Sequence, residues 1–182
     1  GTDEIGCHAC LFPGISTFVG GDITAGLYAC GFDSSDEINL FVDLGTNGEM
    51  AVGNRHKILV TSTAAGPCFE GGNISCGTGS VAGAICHVHI DDVYNVTYET
   101  IYGQPAVGIG GTGVIEAVVG LLKCGLLDET GLLEDEYFER GLKLADDPTG
   151  KPIIITQRDI REVQLEKSAI RAGVEVLLTR YG

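Results

Sequence analysis

Apolar residues near the start of the chain recur at helical spacing: Ile15, Phe18, Val19, Ile23, Leu27 and Cys30. With Ser16 as an N-cap and Gly31 as a stop, they predict a helix over residues 16–30. The pattern then changes period. An acidic turn at residues 33–37 leads into Ile38–Leu44, a nearly continuous apolar run that reads as a buried strand. Gly45-Thr46-Asn47-Gly48 turns the chain into a short strand at residues 49–52. Gly53-Asn54 turns it again into a strand over residues 57–63, so a three-stranded antiparallel meander is expected.

Downstream, residues 64–83 are small and Gly-rich, with a short helix expected near residues 69–75. Residues 84–90 and 93–101 read as paired strands around Asp91-Asp92. The loop 108–113 precedes an apolar helix over residues 114–124 that Gly125 ends. A short acidic helix is expected over residues 134–144 and a strand over 152–155. Thr156 and Asp159 form a capping-box-like start for a last helix, in which Ile160, Val163, Ile170, Val174 and Leu177 share one face. The mixture is α/β.

Charge narrows the choice of partners. Of the 182 residues, 25 are acidic and 11 are Lys or Arg, a formal net charge of -14. Nucleic acid and anionic membrane both require clustered cations, so neither is expected as a partner. Residues 1–122 hold two cations, Arg55 and Lys57, against 13 acids. A phosphate bound there must rely on backbone N–H groups and a metal. The 28 glycines are roughly twice the usual share, which implies tight turns and close approaches of backbone to a ligand. The seven cysteines are an odd and scattered set, and no secretory leader precedes them. Reduced thiols in a cytoplasm are the expectation. A start at Gly1 without Met and an end just after a helical pattern read as an excised piece of a longer chain.

The strongest candidate for chemistry is Leu40-Phe41-Val42-Asp43-Leu44-Gly45-Thr46-Asn47-Gly48-Glu49. A strand delivers a carboxylate at its end, and a glycine hairpin follows at once. Such a turn aims successive N–H groups at one point, as a phosphate requires where lysine is lacking. Asp43 would stand beside that point and hold Mg²⁺ or its waters. The alternative is an ordinary Gly-rich hairpin with Asp43 as a turn cap. A Walker loop is excluded, because Pro152 follows Gly150-Lys151 and Ala145 stands where a Gly is needed.

Other clusters are weaker. Cys7-His8-Ala9-Cys10 has no second pair at ligand spacing, which favours a structural role over zinc or redox chemistry. His87 and His89 share a strand face and suit either a metal pair or a wet face, with Cys86, Val88 and Ile90 turned inward. Asp91-Asp92 reads as a solvated turn, and no Gly-x-Ser-x-Gly elbow supports hydrolase chemistry.

Val42–Glu49 together with Ser62-Thr63-Ala64-Ala65-Gly66-Pro67-Cys68-Phe69-Glu70-Gly71 resembles the C-terminal ATPase region of reductive activators of corrinoid-dependent enzymes. So do Pro13-Gly14-Ile15 with Phe18–Asp22, Gly108–Gly113, and Ile155–Gln164. The resemblance runs over nearly the whole chain. It implies a partial actin-like (ribonuclease H-like) ATPase domain, a phosphate-hairpin sheet with an inserted α/β lobe. By the same resemblance, residues 1–37 hold the connecting helix, 38–66 the phosphate-hairpin meander, 67–155 the inserted lobe and 156–182 a returning helix.

The resemblance also implies site residues. Asp43 would be the catalytic and indirectly Mg²⁺-binding carboxylate. Gly45, Thr46, Asn47 and Gly48 would be the second phosphate hairpin. Gly66 and Gly71 would pass near the nucleotide sugar, and Gly110, Gly111, Thr112 and Gly113 would form a helix start facing the nucleotide, where free N–H groups favour an anion. A plain helix cap is the other reading of that loop. The implied cofactors are ATP/ADP and Mg²⁺, with an iron–sulfur cluster expected only in a domain outside this chain. The implied partner is a corrinoid protein reduced from Co(II) to Co(I) in a methyltransferase system, with self-association left open. The first phosphate hairpin and the adenosine loop of that superfamily are missing, so the piece alone is expected to be inactive. Two alternatives stand beside this reading: a non-catalytic module that binds the corrinoid protein, and a small-molecule kinase of the same superfamily.

Overall fold

The computed structural model describes residues 11–182, so Cys7 and Cys10 lie outside the described residues. The chain divides into two compact units. The first comprises the residues up to Leu44, Gly48–Thr63 and Arg171–Gly182; the second comprises Gly45–Asn47 and Ala64–Ile170.

The first unit is built on a sheet in the order β1-β2-β3, formed by β1 (Asn39–Leu44), β2 (Asn47–Asn54) and β3 (Lys57–Ala64). β1 and β2 are antiparallel and register Asp43 opposite Glu49. Helix α1 (Gly21–Ala29) contributes Val19 just before it, Ile23 and Leu27 to a core with Phe32 and Ala51, against which Phe41 and Val60 pack. The helix is shorter than the apolar spacing predicts. Ser16 instead pairs with Val19 in a tight bridge, and Gly20 takes the N-cap position. Gly31 does end the helix, at φ +70°.

β1 is not the buried strand expected. Ile38, Leu40, Val42 and Leu44 are all exposed. β1 is the edge of its sheet, and the alternation of a strand sends Leu40, Val42 and Leu44 to one face. On β2 the same face is covered: Met50 is fully buried and lies against Gly173 of the last helix.

The second unit holds the larger core. β4 (Ala84–Ile90) pairs antiparallel with β5 (Val96–Thr100) and parallel with the short β6 (Gly108–Ile109). Helix α2 (Gly111–Lys123) packs on β4 through Gly113, Val114, Ala117, Gly120 and Leu121. The residues 134–144, expected to be one acidic helix, give only the four-residue α3 (Asp135–Phe138) before the chain becomes β7 (Leu142–Asp146). β7 pairs with β8 (Pro152–Ile155), and burial of Leu142, Leu144 and Ala145 outweighs their helical propensity. The short helix expected near 69–75 is a 3₁₀ turn at Cys68–Glu70.

The last helix, α4 (Gln157–Tyr181), begins as predicted. Thr156 N–H and Oγ1 donate to Asp159 Oδ2 at 2.8 and 2.7 Å, a closed capping box. The other oxygen of the buried Asp159 accepts the Ser75 N–H and hydroxyl at 2.7 and 2.9 Å. A fully satisfied buried carboxylate of this kind fixes the helix start to the loop ahead of β4. Among the described residues, no helix is long and apolar enough to cross a membrane.

Candidate functional site

The hairpin between β1 and β2 has its tip at Gly45–Asn47, and that tip belongs to the second unit. There the tip is tied to the loop that follows β3. The Gly66 N–H donates to the Thr46 carbonyl at 2.9 Å. The Thr46 hydroxyl donates to the Glu70 carboxylate.

The loop itself is stiff. Glu70 N–H returns to the Pro67 carbonyl at 3.0 Å and Gly71 N–H to the Cys68 carbonyl at 2.9 Å, closing the 3₁₀ turn. Beneath it lies Glu166 of α4, 2% exposed. Its carboxylate accepts the Cys68 N–H at 2.6 Å and the Phe69 N–H at 3.3 Å. Gly66 runs at φ +121°, and a Cβ there would overlap the Glu166 carboxylate. Burial and the Glu166 carboxylate push the Cys68 thiol far above its ordinary range, so it is no nucleophile. Glu166 stands within the apolar stripe of α4, between Val163 and Ile170, and that misplaced charge was its only sign in the sequence.

The start of α2 closes the neighbourhood. A Cβ on Gly111 would overlap the Phe69 carbonyl, so the helix start can approach the 3₁₀ turn only because residue 111 lacks one. Thr46, Gly66, Glu70, Gly71 and Gly111 are thus joined by direct contacts or one intervening turn. Thr112 spends its hydroxyl on the Cys86 carbonyl at 2.9 Å, and Gly113 packs on the Ile85 carbonyl. Gly110 caps the helix, whose first turn leaves N–H groups without intrahelical partners.

Gly45 is less constrained than its place suggests. Its φ is not positive, and the nearest atom to a Cβ, the Asn47 carbonyl oxygen, would be at 3.6 Å. Nothing in the protein itself demands glycine there. Gly48 likewise has no positive φ.

In the first unit, Asp43 and Glu49 are register partners on one face of the β1–β2 pair. Burial, then the carboxylates of Asp22 and Asp43, hold the Glu49 carboxyl above its ordinary range. Oxygen ligands that repel one another suit a hard cation, which would relieve the repulsion. Among the described residues, no group of three His, Cys, Asp or Glu side chains is arranged to hold a metal by itself. Mg²⁺ does not require one, because it keeps several waters and uses one or two carboxylates with phosphate oxygens. The donor chemistry at Asp43 therefore fits Mg²⁺ held indirectly.

His87 and His89 do share the exposed face of β4, as alternation predicts, with Val88 and Ile90 buried between and beyond them and Cys86 only half-buried. His87 Nδ1 lies 3.0 Å from Glu116 of α2, whose other oxygen accepts the Val88 N–H at 2.8 Å. Asp91 caps its own turn by accepting the Val93 and Asn95 N–H groups.

Comparison with known proteins gives this geometry a context. The family described as "C-terminal domain of RACo the ASKHA domain" matches residues 37–182. The chain is 37% identical to the corrinoid activation enzyme RamQ of Eubacterium limosum over 94% of this chain and 32% of that protein. It is 32% identical to the [Co(II) methylated amine-specific corrinoid protein] reductase of Methanosarcina barkeri over 97% of this chain and 35% of that protein. Among solved structures, a reductive activator for a corrinoid, iron-sulfur protein superposes with a TM-score of 0.85 at 38% identity, covering 93% of this chain and 29% of that one. The chain thus spans about a third of the length of these relatives.

Proposed function

This chain belongs to the family of the C-terminal, actin-like ATPase (ASKHA) domain of RACo, and we propose on that footing that it is the ATP-handling part of a reductive activator. The whole protein would return a Co(II) corrinoid protein of a methyltransferase system to Co(I), adding one electron to cobalt. The electron would come from an iron–sulfur centre in a domain outside this chain.

The observation that carries this reading is the joining of the hairpin tip, the loop after β3 and the start of α2. In it Thr46, Asn47 and Gly48 bind phosphate through backbone N–H groups, and Gly45, whose own N–H donates to the Asn47 carbonyl at 3.3 Å, lets the phosphate approach the turn. Gly66 and Gly71 line the sugar side, and the N–H groups of Gly111, Thr112 and Gly113 face the nucleotide, while the Gly110 N–H is held by the Ile85 carbonyl at 2.9 Å. Asp43 holds the waters of Mg²⁺, which when bound neutralises charge on the phosphates.

Energetics supply the reason for spending ATP. For one electron, about 59 mV is a tenfold shift in equilibrium, or ~1.4 kcal/mol. Making Co(I) accessible over some 200 mV therefore needs roughly 5 kcal/mol, which differential binding of a partner protein can provide. ATP binding would form that complex and hydrolysis release it.

Asp43→Asn in the full-length protein tests the site. Steady-state ATPase should fall at least tenfold, while ADP affinity measured by calorimetry changes less, because the metal matters most where charge develops. ATPase activity near wild type would reduce Asp43 to a turn cap.

A further inference from the structure

Glu70 was not among the residues that the sequence pattern singled out. It is exposed, yet two features hold its carboxylate at the hairpin tip. One is the hydrogen bond from Thr46 Oγ1, made between residues 24 apart in the chain. The other is the rigidity of the turn that carries it, closed by its own backbone bonds and clamped from below by Glu166.

The Thr46 hydroxyl is not needed to hold the tip. The Gly66 N–H to Thr46 carbonyl bond already does that at 2.9 Å. The hydroxyl–carboxylate bond is therefore free to break without releasing the loop. A carboxylate parked at a turn meant for phosphate is at first sight misplaced, since like charges at this range repel. It becomes useful when the phosphate arrives with a divalent cation. Mg²⁺ takes carboxylate and phosphate oxygens together and inverts the sign of the local field.

We propose that Glu70 is a nucleotide-site residue that makes binding depend on the metal. In this structure its carboxylate accepts the Thr46 hydroxyl. A metal-free nucleoside phosphate must compete for that hydroxyl and face the negative charge. A magnesium-bound nucleotide meets no such penalty, because the carboxylate turns to the ion or its waters and frees Thr46 to donate to phosphate. The inference rests on the hairpin being the phosphate site.

ADP affinity of the full-length protein, with Mg²⁺ and with EDTA, tests it in wild type, Glu70→Gln and Thr46→Val. Wild type should bind ADP much more tightly with Mg²⁺. In Glu70→Gln, metal-free ADP should bind about tenfold more tightly and the ratio between the two conditions should shrink correspondingly. Glu70→Asp, which keeps the charge, should retain most of the wild-type ratio. Thr46→Val should weaken ADP in both conditions. An unchanged ratio in a folded Glu70→Gln protein that still binds ADP overturns the inference and leaves the nucleotide site standing. No ADP binding by wild type in either condition overturns the site itself, and the inference with it. A thermal melt of each variant shows that the fold is retained, as expected for an isosteric change at an exposed turn.

Discussion

Glu166 and Cys68 stand 98 residues apart in the chain, and the buried carboxylate of the first accepts the backbone N–H of the second at 2.6 Å. The bond shapes a loop from beneath. It satisfies an amide that the 3₁₀ turn leaves open, and it occupies the space that a side chain at residue 66 would need.

Replacing Glu166 with Ala should therefore be expensive. Two amides, Cys68 and Phe69, lose their acceptor inside the protein, and a charged acceptor is the stronger kind. A loss of ~2–4 kcal/mol in urea unfolding is expected. Gly66→Ala alone should also destabilise, because the residue runs at φ +121° and its Cβ meets the carboxylate. In the double variant the two losses should sum to less than their total, by ~0.5–3 kcal/mol, because one clash disappears. Strict additivity would show that the contact is not what constrains Gly66.

Two glycines of the candidate site should behave oppositely. Gly111→Ala forces the start of α2 away from the Phe69 carbonyl, so a stability loss of ~1–3 kcal/mol is expected. Gly45→Ala meets only ordinary contacts at 3.6 Å and should leave the melting temperature nearly unchanged. Loss of nucleotide affinity in a Gly45→Ala protein of normal stability would then report on the ligand's own closeness to the hairpin. Equal destabilisation by both changes would contradict the packing described.

The His87–Glu116 pair gives a pH signature unrelated to the nucleotide. Glu116, through its hydrogen bond to His87 and then its charge, holds the imidazole above its ordinary 6.5. Glu116 lies below its ordinary 4.5, chiefly through the Val88 N–H and then through His87. A raised histidine stabilises the fold below its unfolded pKa, and the contribution is lost as pH rises through the folded value. A lowered carboxylate stabilises above its unfolded pKa, and its contribution is lost as pH falls through the folded value. The pair should therefore contribute most between the two ordinary values, 4.5 and 6.5. In NMR titrations, Glu116→Gln should bring His87 back toward its ordinary value; an unmoved titration would show that the pair does not form in solution.

Local chemistry alone determined several parts of this protein. The turns at Gly31 and Gly125, the capping box of Thr156 with Asp159 and the shared face of His87 and His89 follow from backbone geometry and short-range hydrogen bonding. The order of Gly-rich segments likewise pointed to the actin-like family. Other features needed three dimensions. Leu40, Val42 and Leu44 look core-forming by hydropathy, and only their place on an edge strand leaves them exposed. The 142–146 segment has the composition of a helix, yet pairing with β8 makes it a strand. Glu70 showed in the sequence only as a loop carboxylate, and Glu166 only as a charge within an apolar stripe; neither pattern names its partner. One is exposed and bonded to Thr46, the other buried under two amides, because burial and partnership are properties of residues brought together from distant parts of the chain.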